Sequence, residues 1–329
     1  MIHGDASIDA VLRERLVCPR DCRDLTRDGA ALICESGHRY PLTPDEIPLL
    51  LLDDVAPTHG VARESLARAS LAPDATRGDA AIDPYVAEVI AATGGALYRP
   101  LIGALRAYPI PQLRFQPAKR DASPLLDLGC NWGRWSIAAA RLGYLAIGID
   151  PNLDAVRAAR RVAAELHAGA HYLVADARHL PFRADAFDVV FSYSVIQHFS
   201  KTDAKRVFAE IGRVLTPHGS ALLQMANGLG AVSLAHQLRR GLREAREFEV
   251  RYWSARELGA ACARLIGPTT IAADGFFSLN PQTADLELLA PRYRALVRVS
   301  EALRNLSERV PALRVVADSL MVTARKPGA

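Results

Sequence analysis

The chain has 329 residues, 40 basic and 36 acidic, for a formal net charge of +4, and half of its residues are hydrophobic. Mean hydropathy is +0.05, which excludes a disordered chain and a polytopic membrane protein and reads as one large globular domain with a smaller companion. So small a charge excess does not favour nucleic acid as a partner. The densest charged run, Leu238 to Arg251, alternates in sign as a solvated helix face does.

The first residues lack the apolar stretch of a signal peptide. The longest apolar run, Ile47 to Leu52, falls far short of the ~20 residues that cross a bilayer. No membrane span and a cytoplasmic location with reduced cysteines are therefore expected. Three of the five cysteines lie within the first 34 residues: Cys18, Cys22 and Cys34, followed by His38. Thiolates and imidazole suit Zn²⁺, which takes four such ligands tetrahedrally. A hairpin through "DLTRDGAAL", turning at Asp28-Gly29, would bring the two pairs onto one ion. The first pair is spaced C-x3-C rather than the commoner C-x2-C. A closed site of this kind stabilises a module and does no chemistry. Residues 1–56 are thus expected to form a zinc-ribbon-like module. Residues 57–83, mixed in Pro, Gly, Asp and Ala, read as a linker with one short helix. In 84–123, helical spacing is broken at Thr93-Gly94-Gly95, which predicts a helical cap whose Tyr85 and Tyr98 could close over a ligand.

From Pro124 the pattern alternates strand and helix. "PLLDL", "GYLAIGID", "HYLVADA", "AFDVVFSYS" and "PHGSALLQM" read as strands. The helix after Pro151 places Leu153, Val156, Ala159, Ala163 and Leu166 on one face, and that of 201–215 places Val207, Phe208, Ile211, Val214 and Leu215. A sixth strand is expected near "PTTIAADGFF" and a last, antiparallel one in "ADSLMVTARKP". The predicted fold is α/β: a doubly wound, Rossmann-like, mostly parallel sheet of seven strands with helical insertions in 226–316. Ligands of such sheets sit at the carboxyl ends of the strands. There, Asp127, Asp150 and Asp176 end three successive strands, and Gly129 to Gly133 make a bare turn. The phosphate-binding spacing G-x-G-x-x-G is absent. An acid before the turn suits an ammonium group better than a phosphate. An amino-acid end, a ribose and an adenine would together satisfy all three carboxylates, and S-adenosylmethionine carries them.

Four motifs, "LLDLGCNWG", "AIGIDPN", "VADARHLPFRADAFDVVFSYSVIQHF" and "IGRVLTPHGSALLQM", make the segment from Pro124 to Met225 resemble class I S-adenosylmethionine-dependent methyltransferases. It looks closest to the group that includes ubiquinone and menaquinone biosynthesis methyltransferases. The resemblance implies cofactor contacts at Asp127, Gly129, Asn131, Gly133, Asp150, Asp176, Ala177 and Ser192. Asn131 stands where the family has its middle glycine, and Asn tolerates positive φ better than most residues. The stretch "CPRDC…CESGHRYPL…IPLLL" resembles the small zinc-ribbon module that precedes some methyltransferase domains, certain rRNA guanine methyltransferases among them. It also resembles small ribbon proteins that activate methyltransferases as partners.

Methyl transfer is an in-line displacement at an activated methyl, so a base is needed only if the acceptor must lose a proton. His198, just past the fourth strand, is the candidate, with Tyr193 and Gln197 as other polar groups. Asn227, His236, Tyr252, Trp253, Phe276, Phe277 and Asn280 are candidate acceptor-pocket residues in the insertions. Three functions fit: methylation of a small molecule or glycan, on oxygen; methylation of an RNA base; or a non-catalytic binding module. The fourth strand ends "FSYS", without the Asn/Asp-Pro-Pro-Tyr that grips base amines. Nothing in the sequence bears on oligomeric state.

Overall fold

A computed structural model describes residues 10–57, 60–71, 81–115, 122–278 and 283–328. A short helix α1 (Ala10–Arg13) precedes a three-stranded antiparallel sheet, β1 (Leu25–Asp28), β2 (Ala31–Cys34) and β3 (Arg39–Pro41). Asp28 pairs with Ala31, and Gly29, at φ +59°, starts the two-residue loop between β1 and β2. β4 (Leu49–Leu50) follows, then α2 (Gly60–Ala67) and α3 (Pro84–Gly94). Asp83 caps α3 by accepting the Tyr85 amide, and Pro84 takes the first-turn position where its missing N–H costs nothing. A 3₁₀ turn spans Ala96–Leu101.

The alternating region then runs β5 (Pro124–Leu128), α4 (Arg134–Arg141), β6 (Leu145–Asp150), α5 (Leu153–Glu165), β7 (Ala170–Ala175), β8 (Phe187–Tyr193), α6 (Lys201–Val214) and β9 (Leu215–Ala226). Asn152 caps α5 through the Asp154 and Ala155 amides, and Ser200 caps α6 through that of Asp203. The faces expected from periodicity are the buried ones: Leu153, Val156, Ala159 and Ala163 on α5, and Val207, Phe208, Ile211 and Val214 on α6. The insertions supply α7 (Ala231–Arg239), α8 (Ala255–Leu265), β10 (Thr269–Gly275), a 3₁₀ turn (Thr283–Leu288), α9 (Pro291–Arg309) and α10 (Leu313–Val316), before β11 (Ser319–Arg325). α8 packs on α6 and β10, and α9 packs on β10.

The large sheet has the order β10-β11-β9-β8-β5-β6-β7-β4, with β11 antiparallel to both neighbours and all other pairs parallel. Seven strands are those read from the sequence. The eighth is β4, contributed by the N-terminal residues: Leu49 and Leu50 pair with Val174 and Ala175, and the Val174 amide reaches the Pro48 carbonyl. β4 covers the backbone groups that β7 would otherwise present as an open edge. Further back, the Val17 amide bonds the Pro181 carbonyl, and Leu12, Leu16 and Leu32 share one core with Phe182, Phe187 and Leu128. The N-terminal segment is therefore built into the body of the fold. Among the described residues, no helix is long and apolar enough to cross a membrane.

Candidate active site

The turn from β5 into α4 has three left-handed residues, Gly129 (φ +74°), Asn131 (φ +46°) and Gly133 (φ +81°). Neither glycine has room for a side chain. The Val195 side chain fills the space a Cβ on Gly129 would take, and the Tyr172 hydroxyl lies 2.5 Å from where a Cβ on Gly133 would be. Asn131 adopts the conformation that the family's glycine would, and its own Oδ1 accepts the Trp132 amide at 2.8 Å. Its backbone amide donates to Asp150 Oδ2 at 3.0 Å, while Asp150 Oδ1 accepts the Asn152 amide at 2.9 Å. Asp127 is buried on β5 and accepts the Ser136 hydroxyl at 2.6 Å. Burial pushes the Asp127 carboxyl up to about 7, against the Ser136 hydrogen bonds and helped by the nearby charge of Asp150. Burial likewise raises Asp150 to about 6, partly offset by its two amide donors.

The third carboxylate is differently placed. Asp176, just beyond β7, is gripped by Arg178, with Nε 3.0 Å from Oδ1 and Nη2 2.6 Å from Oδ2. The same guanidinium reaches the Ala56 carbonyl at 2.7 Å. Ala177 is buried beside it. Ser192, on β8, donates to the Leu128 carbonyl at 3.3 Å, so its hydroxyl ties β8 to β5.

The cap reaches this turn at two points. Asn152 Nδ2 donates to the Tyr85 hydroxyl at 3.1 Å. The buried hydroxyl of Tyr98 donates to the Asp285 carboxylate, and Arg134, the first residue of α4, approaches the same carboxylate at 3.3 Å. Arg134 is itself buried, and its Nε has no hydrogen-bond partner among the described residues.

Over β8, β9, β10 and β11 lies a cavity of about 220 Å³, walled by Phe115, Trp135, Phe191 and Tyr193 and reached by Arg114 and Asp274; Trp135, on α4, is the lining residue nearest in sequence to the glycine turn. The Trp135 ring is 5.0 Å from that of Phe191 and 4.8 Å from that of Tyr193. The Tyr193 hydroxyl and the Ser319 hydroxyl each donate to Asp274 at 2.9 Å, and Gln224 links Ser319 to Ser194. His198 is not on this wall. Its ring stacks on Phe248 at 3.9 Å, and its Nδ1–H donates to the Phe248 carbonyl at 2.7 Å. Nor do the insertion residues singled out in the sequence line the cavity. Asn227 donates to the Val315 and Ala317 carbonyls, Trp253 and Phe276 are buried in core clusters, and the Phe277 amide bonds Asp318. His236 and Tyr252 border an exposed groove, and Asn280 lies outside the described residues.

In the N-terminal sheet, Cys18, Cys34 and His38 come together, and the fourth member of their cluster is Asp21. Their ligand atoms all lie within 4.8 Å of one another. His38 Nδ1 is 3.5 Å from Cys18 Sγ, 3.3 Å from Cys34 Sγ and 3.3 Å from Asp21 Oδ2. Cys22 is exposed, at φ +59°, and is not part of the cluster.

The family described as "Methyltransferase domain" matches residues 125–219, which hold the glycine turn, Asp127, Asp150 and Asp176. The chain carries a class I methyltransferase domain of the S-adenosylmethionine-dependent type. "Probable tRNA methyltransferase 9B" of Bos taurus is 30% identical over 126 residues, 38% of this chain and 26% of that protein. "Ubiquinone biosynthesis O-methyltransferase" of Mesorhizobium japonicum is 30% identical over 128 residues, 37% of this chain and 51% of that protein. The chain thus spans between a quarter and a half of the length of these relatives. The solved YcgJ protein of Bacillus subtilis aligns over 64% of this chain and 95% of its own, at 19% identity and a TM-score of 0.45.

Sequence reasoning missed four residues around the glycine turn and the Cys/His cluster. Asp21 had a signal, because two residues separate it from Cys18, the usual knuckle spacing. Arg134, Asp274 and Asp285 had none. They lie 151 residues apart at most and meet only where the roof folds back.

Proposed function

We propose that this chain transfers the methyl group of S-adenosylmethionine to a hydroxyl oxygen of a small-molecule acceptor bearing a ring. The observation that supports this most is the aromatic-walled cavity over β8 to β11, joined to the helix that follows the glycine turn through Trp135, whose 220 Å³ suits one ring and no folded polymer. The cofactor supplies an activated sulfonium methyl. Asp150 spends two acceptor sites on backbone amides and keeps two for ribose hydroxyls. Asp176, already paired with Arg178, has less capacity for an adenine amine. The buried Arg134 Nε can donate to a carboxylate at the amino-acid end. Trp135 and Phe191 together wall one side of an acceptor ring, and Asp274 takes the hydroxyl proton as the new O–C bond forms and the C–S bond breaks. The nearly balanced charge of the chain argues for a small molecule over RNA. The test is labelled methyl transfer from S-adenosylmethionine into cell extract separated into small-molecule, glycan and RNA fractions. Label in the small-molecule fraction is expected, and label confined to RNA overturns the reading.

We further propose that Cys18, Asp21, Cys34 and His38 hold one structural Zn²⁺, with Asp21 in the position first given to Cys22. Two thiolates, an imidazole and a carboxylate are a complete tetrahedral donor set. Metal analysis decides between the two sets: Cys22→Ser is expected to keep near-stoichiometric zinc, and Cys34→Ser to lose it. Loss in Cys22→Ser would return the fourth position to Cys22.

A further inference from the structure

α7 is turned inside out relative to an ordinary surface helix, which buries its apolar stripe and wets its polar one. Its inner face is polar: Ser233 is the buried residue, its amide bonded to Asp318 at 2.8 Å, and Gln237 donates to the Gly228 carbonyl at 2.8 Å. Its leucines face outward. Leu234 is 44% exposed and Leu238, one turn on, is 58% exposed; Leu229 before the helix is 52% and Leu242 after it is 67%. The Asn227 side chain binds the Leu229 amide and the Val315 carbonyl, so the exposed Val315 borders this leucine row. Next to the leucines lies a wide groove lined by His236, Arg239, Arg240, Arg243 and Glu249, in which Glu249 pairs with Arg243 at 2.6 Å and leaves an excess of basic groups. Residues 229–251 carry five arginines, three glutamates, and neither lysine nor aspartate.

We propose that this face docks onto an anionic phospholipid surface, with Leu234, Leu238 and Leu242 entering the interface and Arg239 and Arg240 meeting lipid phosphates. Outward leucines beside a basic groove are what an interfacial helix presents to such a surface. A second copy is the poorer occupant, because a two-fold contact through the leucines sets these arginines against their equivalents. α7 starts five residues after β9 ends, following the carboxyl end of that strand. Vesicle binding is read without any methyl transfer, so it stands or falls apart from the proposed reaction.

The test is co-sedimentation of the full chain with vesicles of phosphatidylcholine, alone or with about 30 mol% phosphatidylglycerol. Binding is expected only with the anionic vesicles. The pair Leu234→Asp, Leu238→Asp should weaken it about tenfold or more, with an unchanged melting temperature because both side chains already face solvent. Arg239→Glu should weaken it several-fold. Failure of the unaltered chain to bind anionic vesicles overturns the proposal, as does binding indifferent to the leucine pair. So does a dimer in solution, by light scattering, that the leucine pair dissociates.

Discussion

The backbone amide of Asn131 donates to the Asp150 carboxylate at 3.0 Å, across 19 positions of the chain. This bond locks the turn after β5 to the end of β6. Asp150→Ala removes the acceptor of two amides, at about 1–3 kcal/mol for each left buried and unpaired. Isothermal calorimetry should find S-adenosylmethionine bound at least about tenfold more weakly. Unchanged affinity would mean that the ribose lies elsewhere.

The same carboxylate makes cofactor affinity depend on pH. Burial holds Asp150 protonated up to about 6 in the ligand-free protein, against an ordinary 3.8. Ribose hydroxyls are bound by the ionised form, so binding releases this proton below that pH. Affinity is expected to rise several-fold from about pH 5 to about 7.5 and then level off. Asp150→Asn should bind weakly at every pH, without the slope.

Stability of the ligand-free chain should run the other way. Asp127, raised to about 7, and Asp150, raised to about 6, keep protons that the unfolded chain has already lost above about 3.8. The folded state therefore binds more protons between roughly pH 4 and 7, and stability falls as pH rises through that window. Thermal melts at pH 5 and pH 8 should show the loss. Asp127→Asn should flatten it, and a melting curve that climbs with pH in this range would contradict the assignment.

Gly133→Ala should damage the turn by two separate routes. The residue sits at φ +81°, and the added methyl meets the Tyr172 hydroxyl. A loss of roughly 1–3 kcal/mol is expected from strain and overpacking together. Tyr172→Phe in the same chain removes the hydroxyl and should restore part of it, leaving the backbone term. Denaturant titration separates the two.

His198 and Asp274 give opposite expectations. His198 is clasped to the Phe248 carbonyl and stacked on its ring, whereas Asp274 faces the aromatic cavity through Tyr193. With an acceptor identified, His198→Ala should lower kcat less than about tenfold, and Asp274→Asn by about a hundredfold or more. A large loss in His198→Ala alone would restore histidine as the base.

The sequence by itself determined the alternating elements, their buried faces and the strand ends carrying Asp127, Asp150 and Asp176. These rest on local quantities: a 3.6- or two-residue period, caps such as Asn152 and Ser200, and turn chemistry at Gly129, Asn131 and Gly133. Asn131 was legible for the same reason, since tolerance of positive φ belongs to the residue and not to its surroundings. Tertiary structure alone decided who meets whom. It laid β4 against β7, clamped Asp176 with Arg178, drew His198 to Phe248, and joined Arg134 to Asp285 across 151 residues. It also put Asp21 in the cluster with Cys18, Cys34 and His38 and turned Cys22 out of it. Such pairings depend on how distant segments pack, and no local period records them.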